Sequence, residues 1–366
     1  MRSFGLRALL GSSHKRLFVS SISKSKSPVD YLVHSCGLPS ATAIAVAQKV
    51  DIKDKNLERC GSIITFFRER GFSDTQLQQL VEKRPELLTV RLDGLRRKMQ
   101  FLRDNRLWGS NLAGLLVLNP VILRRALENH LEPSLELLMK YLGTIERLEV
   151  ALKRSSWLLT CNLSQTMQPN IDLLISEGVS LKAIQFMMAK KPWAVLQKPE
   201  SMARAIKDVM ELGVRPSSPI FIHAVCVRVS LTEASWTAKF NVFRSLGWAD
   251  EEIISAFVRD PLCLACSEKK IRAVTDFIVK TMKLNQAIII AYPKLLMYSI
   301  ESRYKPRFFV LTKLKSKNLV KDDLKWQWVL TKSEKKFVEN YIMKYREEVP
   351  DLMKTYTSMR ASKLVH

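Results

Sequence analysis

A proline returns along this chain at a nearly fixed interval, and that interval limits the possible folds more than any other feature. Pro85, Pro120, Ser156, Pro192, Arg228, Pro261 and Pro293 are separated by 35, 36, 36, 36, 33 and 32 residues, with serine or arginine standing in twice. Each closes a string of one kind, of which GFSDTQLQQLVEKRPELL (residues 71–88) is the fullest copy. GVSLKAIQFMMAKKPWAV and GWADEEIISAFVRDPLCL repeat it without a gap, and weaker copies end in NPVIL, SSWLL, VRVSL and YPKLL. A period of this length means one small unit used many times, each unable to bury its apolar face without a neighbour.

The letters of the unit specify helices. Ser73 with Gln76 three residues later forms a capping box, and Phe72 with Leu77 forms a staple around it, so a helix begins at Asp74. Leu77, Leu80 and Val81 give it an apolar stripe at helical spacing, and Pro85 disfavours helical geometry at Arg84, which ends it. A second helical pattern precedes each glycine, as in IITFFRER before Gly71 and KFNVFRSL before Gly247, and the glycine is the left-handed C-cap between the two. The reading is an all-α solenoid of about seven to eight helical repeats, with the hand of the superhelix left open.

The chain has 366 residues and 59 Lys and Arg against 35 Asp and Glu, a net charge of +24. Such an excess points to a polyanionic partner. Residues 1–29 carry six of the positive charges and many serines with no acidic residue, the composition of an organelle transit peptide. The arginines mixed with Phe4, Leu6, Leu9 and Leu10 favour a mitochondrial leader over a chloroplast one. Residues 30–56 then form a helical lead-in, 57–302 the repeat solenoid, and 303–366 a basic helical segment that completes the array. That last segment alone holds 16 Lys and Arg against 7 Asp and Glu. The longest apolar runs, such as Ala287 to Ala291, fall far short of the roughly 20 residues a membrane helix needs, so no membrane partner is expected.

Enzymatic chemistry finds no foothold in the sequence. Phosphate-binding glycine loops, nucleophile elbows and zinc-protease motifs are absent. Cys263 and Cys266 make a single C-x-x-C without a second pair, and their register assigns them to the core. Asp250, Glu251 and Glu252 occupy a first helical turn, where negative charge favours the dipole. No catalytic residue, cofactor or metal is expected.

The recurring charges are cations. Lys83 and Arg84, Arg124 and Arg125, Lys153 and Arg154, Lys190 and Lys191, Arg228, Arg259 and Lys294 all fall where the second helix meets the proline turn. Arg303, Lys305 and Arg307 follow in the basic terminal segment. Cations there complement a helix C-terminus, and stacking of the repeats also aligns them into a stripe that can face phosphate. These fourteen residues are the candidate nucleic-acid contacts. Trp157, Trp193 and Tyr292 flank the anchors and could stack on bases, but they align with apolar positions in sister copies and are assigned to the core.

The order GFS, apolar trio, P-x-L-L resembles the repeat of the mitochondrial transcription termination factor (mTERF) family, in the form expanded in plants. The segment from Arg303 to Tyr356, with its KPR opening, SEKKF and closing PDL, resembles the end of plant members. The resemblance covers about residues 57 to 356. It implies binding to double-stranded DNA, as a monomer, in regulation or termination of organellar transcription. It equally allows RNA binding in intron splicing, and the composition alone also fits a protein-binding scaffold with an acidic partner.

Overall fold

In the computed structural model, described for residues 27–361 apart from 51, 53, 108, 322 and 323, every regular element among the described residues is helical. The leader assigned to residues 1–29 lies outside the described residues except for Ser27, Pro28 and Val29, which cap and open a helix, Pro28–Cys36. The chain forms two compact units, the first ending at Arg125 and the second beginning at Ala126.

The backbone records the repeat more completely than the prolines do. Among the described residues nine have a left-handed φ: Gly37, Gly71, Arg106, Gly143, Gly178, Gly213, Gly247, Lys283 and Asn318. They follow one another at 34 to 37 residues, and each lies just beyond a helix C-terminus. After Gly71 the Phe72 N–H returns to the Phe67 carbonyl at 3.2 Å, and after Arg106 the Leu107 N–H returns to Leu102 at 2.9 Å. The same closure follows Gly178, Gly213, Gly247 and Asn318. This is the Schellman motif, which satisfies carbonyls that the helix end leaves open. Glycine takes the conformation without a side-chain clash, whereas Arg106 and Lys283 adopt it against an intrinsic cost of about 1–2 kcal/mol each. Their presence means that packing sets the turn even where the residue type opposes it. The turn also recurs at Gly37 and Asn318, within the segments that the sequence analysis set apart as lead-in and terminal segment.

Within a unit the second helix is built as its letters specify. In Asp74–Lys83 the Ser73 hydroxyl accepts the Gln76 N–H at 3.2 Å while the Gln76 side chain accepts the Ser73 N–H at 2.9 Å. Leu77, Leu80 and Val81 are buried. The helix stops at a residue of extended backbone: Arg84, Asn119, Ser155, Lys191, Asp260 and Tyr292 share φ between −133° and −152° and ψ between 51° and 94°. A following proline disfavours helical backbone in its predecessor. Ser155 adopts the extended conformation ahead of Ser156, so the turn survives where the proline is lost. The two residues that close each turn point inward, as Leu87 and Leu88, Leu158 and Leu159, or Leu295 and Leu296 do.

From anchor to next helix the count is constant. Pro85 to Leu92, Pro120 to Leu127, Ser156 to Leu163, Pro192 to Pro199, Pro261 to Glu268 and Pro293 to Ile300 are each seven residues. Arg228 departs from this. Its helix, Phe221–Val229, runs past it, and the next helix, Glu233–Arg244, starts only five residues later. Here the helix continues through the anchor position, unlike the copy at Ser156, which stops without a proline. The terminal segment restores the count with a turn that the prolines did not mark. Gln327 lies seven residues before Glu334, where the Ser333-capped helix Glu334–Tyr341 begins, and Val329 and Leu330 form its buried pair.

Carbonyls of these turns are satisfied from the preceding helix layer. Lys98 donates to Leu123 at 2.8 Å, Asn170 to Val195 and Gln197 at 3.0 and 2.7 Å, Lys270 to Met297 at 2.6 Å, and Lys239 to Cys266. Each donor lies 25 to 27 residues before its acceptor. A buried carbonyl without a donor is costly, so this lacing fixes neighbouring repeats in register. It also consumes part of the positive charge.

Candidate nucleic-acid interface

The fourteen candidate cations divide by what already holds them. Arg228 is 4% exposed. Its Nε donates to Asp208 at 2.6 Å, its other nitrogens reach Glu233 and the Leu231 carbonyl, and its guanidinium lies over the Trp236 ring. Arg307 is fully buried, donating to the carbonyls of Val329, Leu330 and Lys332 at 3.0, 3.0 and 2.8 Å and to Glu334 at 3.2 Å. Both residues therefore leave the candidate set, because a buried guanidinium is kept only by partners that replace its water. Arg303 is half-buried, donates to Leu330 at 3.4 Å and lies over Tyr298; burial lowers its pKa from the usual arginine value.

Three more candidates are exposed but engaged. Lys83 donates to the Val117 carbonyl at 2.7 Å and Arg259 to Ile290 at 3.1 Å, so each caps the second helix of the following repeat. Lys305 pairs with Glu301 one turn earlier, at 2.7 Å. The last is a solvent-exposed ion pair, weak at about 0–1 kcal/mol, and can be exchanged for a phosphate.

The remaining eight, Arg84, Arg124, Arg125, Lys153, Arg154, Lys190, Lys191 and Lys294, form no ion pair among the described residues. Three of them converge. Arg84 ends one second helix, Arg124 and Arg125 end the next proline turn, and with Val121 they line a cavity of about 230 Å³. Like charges brought together without a carboxylate create a positive potential that favours an anion.

The aromatic residues reverse their assignment. Trp157 is 60% exposed, Trp193 36% and Tyr292 37%, so none of the three belongs to the core. For Trp157 and Trp193 the reason lies in the turn, where the residue after the anchor is left exposed while the next two are buried; Tyr292 instead directly precedes its anchor, Pro293. Trp157, Trp193 and Lys294 are exposed at the position after the anchor and Glu86 is half-buried there, and the mixed chemistry is the signal that it is not a core site. Trp328, 57% exposed and directly before the buried pair Val329 and Leu330, occupies it too, although the sequence analysis did not single it out. The triplets WLL, WAV and WVL would have revealed it.

The cysteines fit a structural role. Cys263 is buried and Cys266 half-buried, both are free thiols, and burial pushes both pKa values up. Burial likewise pushes Cys226 up to about 12. Raised thiols of this kind hold little thiolate and react poorly. Among the described residues no group of three His, Cys, Asp or Glu is placed to hold a metal. No described helix is long and apolar enough to cross a membrane.

Compared with known families, residues 62–338, about three quarters of the chain, match the mTERF family model. No curated protein matches the chain.

Proposed function

The chain belongs to the mTERF family, whose role is nucleic-acid binding and regulation without catalysis, and on that footing we propose that it binds double-stranded DNA through phosphate contacts to regulate or terminate organellar transcription. The observation that carries the reading is the convergence of Arg84, Arg124 and Arg125 on one cavity with no carboxylate among the described residues to neutralise them. Lys153, Arg154, Lys190, Lys191 and Lys294 extend the same chemistry to later proline turns. Guanidinium groups match phosphate oxygens in pairs, and such contacts give affinity without reading sequence. The protein acts as a monomer on its target. The basic, serine-rich leader directs it to the mitochondrion, and a fluorescent fusion of residues 1–30 that entered the chloroplast would overturn that assignment.

Duplex binding measured across a salt series tests the reading. Each phosphate contact contributes a slope of about −0.9 in log affinity against log salt. The combined variant Arg84→Gln, Arg124→Gln, Arg125→Gln should therefore flatten the slope by about 2 to 3 and weaken binding at low salt at least tenfold. Wild-type binding that is insensitive to salt would remove the phosphate model.

A further inference from the structure

We propose that Trp157, Trp193 and Trp328 form a base-stacking surface, a second binding mode that takes the unpaired bases of single-stranded nucleic acid. The inference rests on the phosphate-binding reading above and adds a ligand class to it. The three residues occupy one register, the outward position of a turn whose next two residues are buried. Trp157 and Trp193 are separated by one 36-residue repeat within the second unit. A tryptophan left 36–60% exposed three times over in the same place is not needed for the core that the neighbouring pairs fill.

The surroundings select the occupant. Exposed cations precede each indole at two to four residues: Lys153 and Arg154, Lys190 and Lys191, and Lys325. Tyr292 meets Trp328 edge-on with ring centroids 6.3 Å apart, widening the third platform, and the exposed Lys294 follows it. Aromatic faces interleaved with free positive charge fit a strand that offers bases and phosphates alternately. A duplex does not meet the aromatic half of this surface, because its bases are already stacked on both faces and only their edges reach the grooves. A single strand has free base faces and satisfies both halves. Every base has a π-face, so the surface tolerates any sequence.

The test uses the full chain, a 30-nucleotide oligo(U) and oligo(dT), and a mixed-sequence duplex of equal length. Intrinsic tryptophan fluorescence and anisotropy are read together. Single strands should quench the fluorescence, and each Trp→Ala variant should lose about fivefold or more in single-strand affinity. Duplex affinity should stay within twofold. Trp→Phe variants should retain most single-strand binding, which separates loss of stacking from loss of fold. Duplex binding with no single-strand binding, or single-strand binding that the alanine variants leave intact, overturns this proposal while the phosphate reading stands. Salt-dependent binding to neither ligand overturns both.

Discussion

Arg124 and Arg228 lie near the ends of two copies of one repeat, three periods apart, yet one is exposed without an ion-pair partner among the described residues while the other is 4% exposed and held by two carboxylates. At Pro120 the second helix is cut short, a tight turn follows, and Arg124 leaves it on the solvent side. At the Arg228 copy there is no proline, the helix runs on to Val229, and the arginine stays on the helix face that meets Asp208 and Trp236. Arg307 takes the second fate further, lacing three turn carbonyls from a site with no solvent. Whether a cation here binds a partner or holds the fold depends on the turn beside it, and its residue type does not decide the matter.

Substitutions can break this comparison, beginning with the largest expected effect. Arg307→Ala should lower unfolding free energy by about 3–5 kcal/mol, since it removes the shared donor of the buried Val329 and Leu330 carbonyls and of the part-buried Lys332 carbonyl, while Glu334 keeps Tyr356 and Arg360. Arg124→Ala should stay within about 0.5 kcal/mol, and equal losses in denaturant titrations would dissolve the distinction. Arg228→Met should fall between them at about 1–3 kcal/mol, because Asp208 and Glu233 are partly solvated and can rehydrate.

Acid sharpens the contrast within the second unit. The hydrogen bond from Arg228 holds the Glu233 carboxyl below its ordinary 4.5. A depressed pKa contributes stability that is present above the ordinary value and is lost as pH falls through the lowered one. Wild-type midpoints should therefore drop more steeply than those of Arg228→Met once the pH passes below 4.5. Parallel curves would mean that this pair adds nothing.

The smallest effect transfers the comparison to the backbone. Gly71 and Arg106 occupy equivalent left-handed turns, so Arg106→Gly should raise stability by up to about 1 kcal/mol. A loss instead would mean that the arginine side chain makes a compensating contact at that turn.

Much of the fold was legible in the sequence. The capping box at Ser73, the stripe of Leu77, Leu80 and Val81, and the proline stop are local features, and the chain obeys them residue by residue. The units at Arg106, Lys283 and Asn318 were harder to see because their turns lack the glycine that marks the others. The candidate site was legible only in outline. The recurring cations were visible, but a list of charges does not separate Arg84, Arg124 and Arg125 from Arg228 and Arg307. Trp157 and Trp193 align with apolar residues in some sister copies, and that register alone does not show that the position after the anchor is left exposed.

The sequence by itself determined the all-helical repeat, its period and its basic character, since helix caps, stripes and proline stops act over a few residues and need no distant partner. Only the tertiary structure decided which cations remain free and which aromatics face outward. Those outcomes depend on carbonyls and carboxylates brought up from 20 to 27 residues away, as between Arg228 and Asp208 or Lys270 and Met297, and a charge is committed to the fold only when such a partner replaces its water.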